Sequence, residues 1–173
     1  NITIPNSVTN IGSSAFYNCK SLSSVNIGSN VDRIEYYAFR NCDSLESVTI
    51  PDSVTSLEGG AFAYCSSLTN VTIGNGVTSI GFDAFNKCES LTSITIPNNV
   101  TNIEKSAFAY CSSLTRVTMG NGINSIGESA FNKCISLTKV TIPGGVTSVG
   151  DNAFCGCSSL ISIEVSNNNK YYS

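Results

Sequence analysis

The chain has 173 residues, 41% of them hydrophobic and only 12% charged, with a net charge of -3 and a sequence pI near 4.8. That length holds one ordinary domain or one short repeat array, and so acidic a chain lacks the basic stripe that nucleic-acid partners require. The absence of His excludes Ser-His-Asp and Cys-His catalysis and every His-ligated metal site.

No apolar run approaches the roughly 20 residues of a membrane span. The opening Asn1-Ile2-Thr3-Ile4-Pro5 lacks the basic segment of a signal peptide. Both termini read as cut. The expectation is a single array over residues 1–173, about seven and a half repeats, belonging to a longer protein.

The repeat is 23 residues and never slips. Cys19, Cys42, Cys65, Cys88, Cys111, Cys134 and Cys157 keep that spacing, as do Leu22 through Leu160 and the Ala-Phe pairs ending at Phe16 through Phe154. Taken in order through one unit, Val48 and Ile50 alternate with Thr49, the period-2 signature of a short half-buried strand. Pro51 ends the ladder, because it has no N–H to donate. Val54 and Leu57 form a second inward pair, and Gly59-Gly60 turn the chain. Ala61, Phe62 and Cys65 then carry the i, i+1, i+4 spacing of about one inward-facing helical turn. Leu68 leads into the next strand. One unit is too short to bury its own apolar set, so copies must stack.

A longer period of 46 lies above the first. Pro5, Pro51, Pro97 and Pro143 follow the strand in odd repeats, and Gly28, Gly74 and Gly120 replace them in even ones. Duplication of a two-repeat block explains this; a two-repeat surface rhythm is the alternative.

The pattern Cys65-Ser66-Ser67-Leu68 through Ile73, followed by Ile80-Gly81 and Ala84-Phe85, resembles the BspA-like, Treponema-type leucine-rich repeat family over nearly the whole chain. The fold expected is an α/β right-handed solenoid, with one parallel sheet on the concave face and short helical or irregular turns on the other. The resemblance implies secreted or cell-surface proteins of host-associated microbes that act in adhesion or host-protein binding. It supplies no catalytic residues, metal ligands or cofactor, so the chain is read as a non-enzyme.

The seven in-phase cysteines would form a ladder near disulfide range, about 4.4–6.8 Å between Cα atoms. Parallel side-chain vectors do not supply the disulfide dihedral. Each thiol is instead expected to be a small buried hydrophobe whose weak donor meets a backbone carbonyl. Cys155 stands outside the phase and is expected at the surface, as a neutral substitution or an intermolecular thiol.

The binding candidates are Thr49, Thr72, Thr95, Thr118 and Thr141 on the outward side of the strands, with Arg116 and Lys139 beside them and Lys133 nearby in sequence. Thr is also simply a good solvent-facing strand residue. Thr55, Thr78, Thr101 and Thr147 form a further outward row, with Asp32 and Asn124 in the same phase. Tyr36, Tyr37 and Phe82 are aromatic departures from neighbouring repeats, read as local packing or a contact hot spot. The partner expected is a protein or a glycan, such as a host matrix or surface protein. The alternative is a spacer or self-associating rod, because neither end shows a clear polar cap.

Overall fold

The structure, a computed structural model, describes residues 1–172. Each 23-residue unit makes one coil carrying two parallel strands. The first set is β1 (Ile2–Thr3), β3 (Val25–Asn26), β5 (Ser47–Ile50), β7 (Asn70–Ile73), β9 (Ser93–Ile96), β11 (Arg116–Met119), β13 (Lys139–Ile142) and β15 (Ser162–Val165). The second is β2 (Asn10–Ile11), β4 (Arg33–Ile34), β6 (Ser56–Leu57), β8 (Ser79–Ile80), β10 (Asn102–Ile103), β12 (Ser125–Ile126) and β14 (Ser148–Val149). Every pairing is parallel and offset by one repeat, as in Val48↔Val71 and Asn102↔Ser125. The sequence period is therefore the register.

The expected single sheet needs two corrections. A second sheet exists: β2 through β14 form a continuous seven-stranded ladder of two-residue strands. The first set, in turn, is not one sheet. It divides into β1-β3, β5-β7 and the four-stranded β9-β11-β13-β15. Between β3 and β5 only the Ser24↔Ser47 bridge remains, β7 and β9 have no register, and β11 meets β13 at Arg116↔Lys139 alone. The tight pairs thus recur with the 46-residue period, and proline supplies the cause. After β15, the Ser166 N–H donates to the Ile142 carbonyl at 3.0 Å. Pro51, Pro97 and Pro143 occupy that position in their own coils and have no N–H to close the junction behind them. In the first three tight pairs the next coil carries glycine (Gly28, Gly74 and Gly120), and a Cβ on Gly120 would lie 2.5 Å from the Pro97 carbonyl oxygen; the last pair carries Ser166 there.

The predicted helical turn is absent; no α-helix forms among the described residues. Two residues per coil adopt positive φ, such as Ser106 (54°) and Tyr110 (61°), or Ser129 and Lys133 (both 56°). Such residues break a right-handed helix. The inward spacing of Ala, Phe and Cys comes instead from two successive turns. Their amides alternate: Ala63 N–H donates to Gly60 within the coil, while Phe62 and Tyr64 N–H donate to Ala84 and Asn86 of the next coil, at 2.8 and 2.7 Å. A helix would spend all those donors inside one coil. It would also be about 10–12 Å wide, too wide to repeat at a strand spacing of about 4.7–4.9 Å.

Glycine at these positions would relieve a backbone cost of roughly 1–2 kcal/mol, against a loss of about 0.4–1 kcal/mol in unfolded-state entropy. Gly60 already occupies the position equivalent to Ser106. Ser106→Gly is therefore expected to stabilise the chain by about 0.5–1 kcal/mol, seen as a raised urea midpoint at unchanged m-value.

Inside the coils, Phe16 through Phe154 form a column of offset-stacked rings. Their centroids are 5.0–5.6 Å apart and their planes within 10° of parallel. That advance is close to the strand spacing of about 4.8 Å, so the rings keep step with the coils. Six of the seven in-phase thiols behave as expected; Cys19 does not, because the first coil has no Phe carbonyl behind it, and it is exposed. Sγ of Cys42, Cys65, Cys88, Cys111, Cys134 and Cys157 each donates to the Phe carbonyl of the preceding coil at 3.1–3.3 Å. All eight cysteines are free.

The two ends differ. Ile2, Ile4, Val8, Ile11 and Phe16 line an apolar concavity of about 280 Å³ on the first coil. At the other end Asn169 takes the phase of the inward Val146 and is buried. Its Nδ2 donates to the Pro143 and Val146 carbonyls at 2.9 and 3.0 Å, and its Oδ1 accepts from Tyr171 and Tyr172 N–H. The Tyr172 hydroxyl accepts the Val149 N–H at 3.1 Å, a donor that the last strand of the second sheet would otherwise expose. The expectation that neither end carries a polar cap is therefore wrong for this end.

Candidate ligand-binding face

Alternation along the longer strands decides what this face presents. Val48 and Ile50 point inward and are buried, so Thr49 between them must point out. The same logic exposes Thr72, Thr95, Thr118 and Thr141. Thr49 is in register with Thr72, and Thr95 with Thr118. None of these five hydroxyls makes a hydrogen bond within the described residues. They differ in this from Thr55, Thr78, Thr101 and Thr147 of the other outward row, whose Oγ1 atoms donate to carbonyls one coil back at 3.1–3.3 Å. That second row is spent on joining coils; the first is free to meet a ligand.

Arg116 and Lys139 are paired in register on the same face. Lys139 Nζ contacts Glu164 at 2.6 Å, an exposed ion pair worth about 0–1 kcal/mol. Arg116 has no ion pair among the described residues. Lys133 does not join them. It lies in the turn segment before Cys134, with Nζ 5.3 Å from the Tyr110 ring centroid, so the three-cation cluster suggested by sequence proximity does not form.

The face is not flat. Asn70, Val71, Thr72, Ile73, Asn75, Ser93, Thr95 and Pro97 line a depression of about 430 Å³ where β7 and β9 fail to pair. Two adjoining depressions of about 320 and 200 Å³ lie between β11 and β13, and between them they include Arg116, Val117, Thr118, Met119, Asn121, Lys139, Thr141 and Pro143. These are the same eight positions, 46 residues on. Nothing in the strand periodicity announces them; the signal was the Pro/Gly alternation.

The aromatic departures do come together. Tyr36, Tyr37 and Phe82 sit with ring centroids 6.0–6.4 Å apart, above Gly59 and Gly60, where any Cβ would collide with the Phe82 or Tyr37 ring. A neighbouring row was missed in the sequence. Arg40 lies over Tyr37 and Tyr64, Lys87 between Tyr64 and Tyr110, and Lys133 over Tyr110, at 4.8–5.7 Å. The Tyr and Lys of this row alternate with the same 46-residue period. Cys155 is exposed as expected, although the equivalent Ala63 and Ala109 are buried.

The model of the BspA type leucine rich repeat region matches residues 1–112 and 78–173, with six copies. Among solved structures, a leucine-rich repeat protein from Eubacterium ventriosum shares 26% identity at a TM-score of 0.86, over 96% of this chain and 46% of that one. One from Bacteroides ovatus shares 30% at 0.76, over 96% and 49%. The T. pallidum leucine rich repeat protein shares 32% at 0.66, over 68% and 57%. The chain thus spans about half the length of these proteins. No curated protein is similar enough to match.

Proposed function

We propose that this chain, which belongs to the BspA-type leucine-rich repeat family, is a binding module of a secreted or cell-surface protein that engages a protein or glycan ligand in adhesion or host interaction. The observation that carries this reading is the row of unspent hydroxyls on Thr49, Thr72, Thr95, Thr118 and Thr141, lying along the extended face that solenoids offer to ligands. A fold of this kind hosts many functions, so the argument rests on the face and not on the fold. No catalytic role is proposed: the Ser–carboxylate contacts, such as Ser13 with Glu35 and Ser79 with Glu104, are exposed links between neighbouring coils. Carboxylates such as Glu35 are engaged in structure instead: it accepts hydrogen bonds from Asn10 and Ser13 of the preceding coil, which hold its carboxyl below the ordinary range.

The test is a binding screen against matrix proteins and glycans, with wild type beside a Thr72→Lys, Thr118→Lys double variant. Two lysines in the middle of the face are expected to weaken binding of the cognate ligand at least tenfold. Equal binding by both proteins would move the site off this face. A second reading, a self-associating rod, draws on the apolar concavity of the first coil. Head-to-tail growth would have to displace the Asn169 cap, and light scattering that finds a monomer at every concentration removes it.

A further inference from the structure

We propose that the ligand of the strand face is a linear, uronic-acid-bearing glycan lying along the solenoid axis, seated in the two seams between β7 and β9 and between β11 and β13, one disaccharide unit apart. This rests on the ligand-binding reading of the face and names the ligand class for it.

The seams are openings with unpaired backbone. In the tight pairs, the residues just before the strand are tied to the coil behind: Thr69 N–H to Glu46, Thr115 N–H to Thr92 and Ile161 N–H to Thr138, each at 2.9 Å. The equivalent amides at these two seams, Thr92 and Thr138, make no such bond among the described residues, whereas at the β3–β5 junction the equivalent Glu46 N–H still reaches the Ser23 carbonyl at 3.2 Å. Each seam therefore offers a free donor, and the first seam, where β7 and β9 share no bridge, also a free carbonyl on Thr69, beside Thr and Ser or Asn side chains that both donate and accept. Groups of that kind match sugar hydroxyls. The volume of the first seam falls within the range of small-ligand sites, about 300–1,000 Å³.

Spacing and room select the class. The seams repeat every two coils, about 9.5 Å at the parallel-strand spacing. A ligand crossing the strands must therefore present like groups at that interval, the advance of two sugars in an extended chain. Two residues of an extended peptide advance only about 6.6–6.8 Å. A peptide strand cannot enter the seam lengthwise either: β7 and β9 keep Cα atoms within 8 Å, whereas an inserted strand needs about twice 4.8 Å. A polyproline-type peptide matches the interval but docks in aromatic-lined grooves, and no aromatic residue lines either seam. The charge comes from the second seam. There Arg116 replaces Asn70 and Lys139 replaces Ser93, and the unpaired guanidinium of Arg116 is shaped for a carboxylate.

The experiment uses the 173-residue chain and oligosaccharides of alternating uronic acid and N-acetylhexosamine, of two, four and six sugars, titrated calorimetrically. The tetrasaccharide reaches both seams and is expected to bind at least tenfold tighter than the disaccharide, because its second contact is intramolecular. Pro97→Ser, which copies the chain's own Ser166, restores a donor toward Ile73 and closes the first seam. It is expected to remove that gain, while the fold, followed by circular dichroism, is kept. Arg116→Ser is expected to weaken the acidic tetrasaccharide at least fivefold and leave a neutral N-acetylhexosamine tetrasaccharide unchanged. Amide exchange at Thr92 and Thr138 is expected to run at least tenfold faster than at Thr69 and Thr115; equal rates mean the seams are closed and overturn the proposal. A flat length series, or full binding by Pro97→Ser, overturns it as well. If a protein ligand is blocked by the Thr72→Lys, Thr118→Lys variant while no oligosaccharide binds, the glycan assignment falls and the binding-face reading stands. If that variant alters no binding at all, the face reading itself falls.

Discussion

Replacing Phe85 by Ala is expected to cost about 3–5 kcal/mol, the range for emptying a buried aromatic site, and to do so in a way that a closed globular core would not. The Phe85 ring is fully buried and stacked between Phe62 and Phe108 at 5.6 and 5.3 Å. Its loss damages two coil-to-coil contacts at the centre of the array. In a solenoid, stability is close to a sum of coil and neighbour terms. Breaking two adjacent neighbour terms uncouples the halves, so urea unfolding should broaden or split in two. Phe154→Ala is the control. That ring has a single stacked neighbour, Phe131, and is only partly buried, so its loss should cost about half as much, roughly 1.5–2.5 kcal/mol, and leave one transition. Equal costs at both positions would mean that the ring column is not the coupling element between coils.

Much of this architecture is legible in the sequence, because a repeat that never slips converts sequence phase directly into register. Val48, Val71 and their equivalents had to pair, and the thiols had to form one ladder. What escaped was conformation that residue type does not announce. Positive φ at Gly60 and Gly156 is ordinary, but Ser106, Lys87 and Tyr110 give no sign of it. The inward Ala, Phe and Cys positions suit a helical turn and two successive turns equally well. The donors that tie Phe62 and Tyr64 to the next coil decide between them, and those bonds exist only in the stack. Asn169 stands in a polar run, Asn167-Asn168-Asn169-Lys170, yet its phase is that of an inward Val, and its four hydrogen bonds make a buried amide tolerable.

The candidate site was half legible for a similar reason. Alternation alone placed Thr49 through Thr141 outward. It could not say that Thr55 and Thr78 are spent on neighbouring carbonyls while the strand-face hydroxyls are not. Nor could it place Lys133, which is six residues from Lys139 in sequence but belongs to the turn segment of the coil. The 46-residue alternation was visible and read chiefly as a trace of duplication. Its physical content is that proline withholds the N–H that would close a strand junction, so a genetic period becomes a structural one.

The thiol ladder makes the chain sensitive to alkali, and the sign follows from which form is buried. Burial pushes Cys111 up to about 12 and Cys88 well above the ordinary thiol range, with the next thiol in the ladder adding to the effect at Cys88. Contact with the Cys42 and Cys157 thiols, together with burial, raises Cys65 and Cys134. In the unfolded chain these groups ionise near 8.5. Below that pH both states hold the proton and the contribution of the ladder is intact. Above it the unfolded state releases protons that the folded state keeps, so stability falls as pH rises, until the folded thiol also ionises. Each raised thiol contributes a slope of about 1.4 kcal/mol per pH unit, which for Cys111 spans about 8.5 to about 12. Cys88 and Cys111, which burial alone raises, together give about 2.7 kcal/mol per unit, a large share of the 5–15 kcal/mol of an ordinary domain within two units. Urea midpoints at pH 7.5, 9 and 10 measure it. Cys111→Ser keeps a donor for the Phe85 carbonyl but does not titrate, so it should flatten the slope by about 1.4 kcal/mol per unit. Taking the difference between the two proteins cancels tyrosine ionisation. Thiol labelling at pH 7.5 gives an independent check, with only the exposed Cys19 and Cys155 reacting before urea is added. An identical slope in Cys111→Ser would show that the ladder is not buried in its neutral form, and the hydrogen bonds to the Phe carbonyls would then lose their role in holding the coils together.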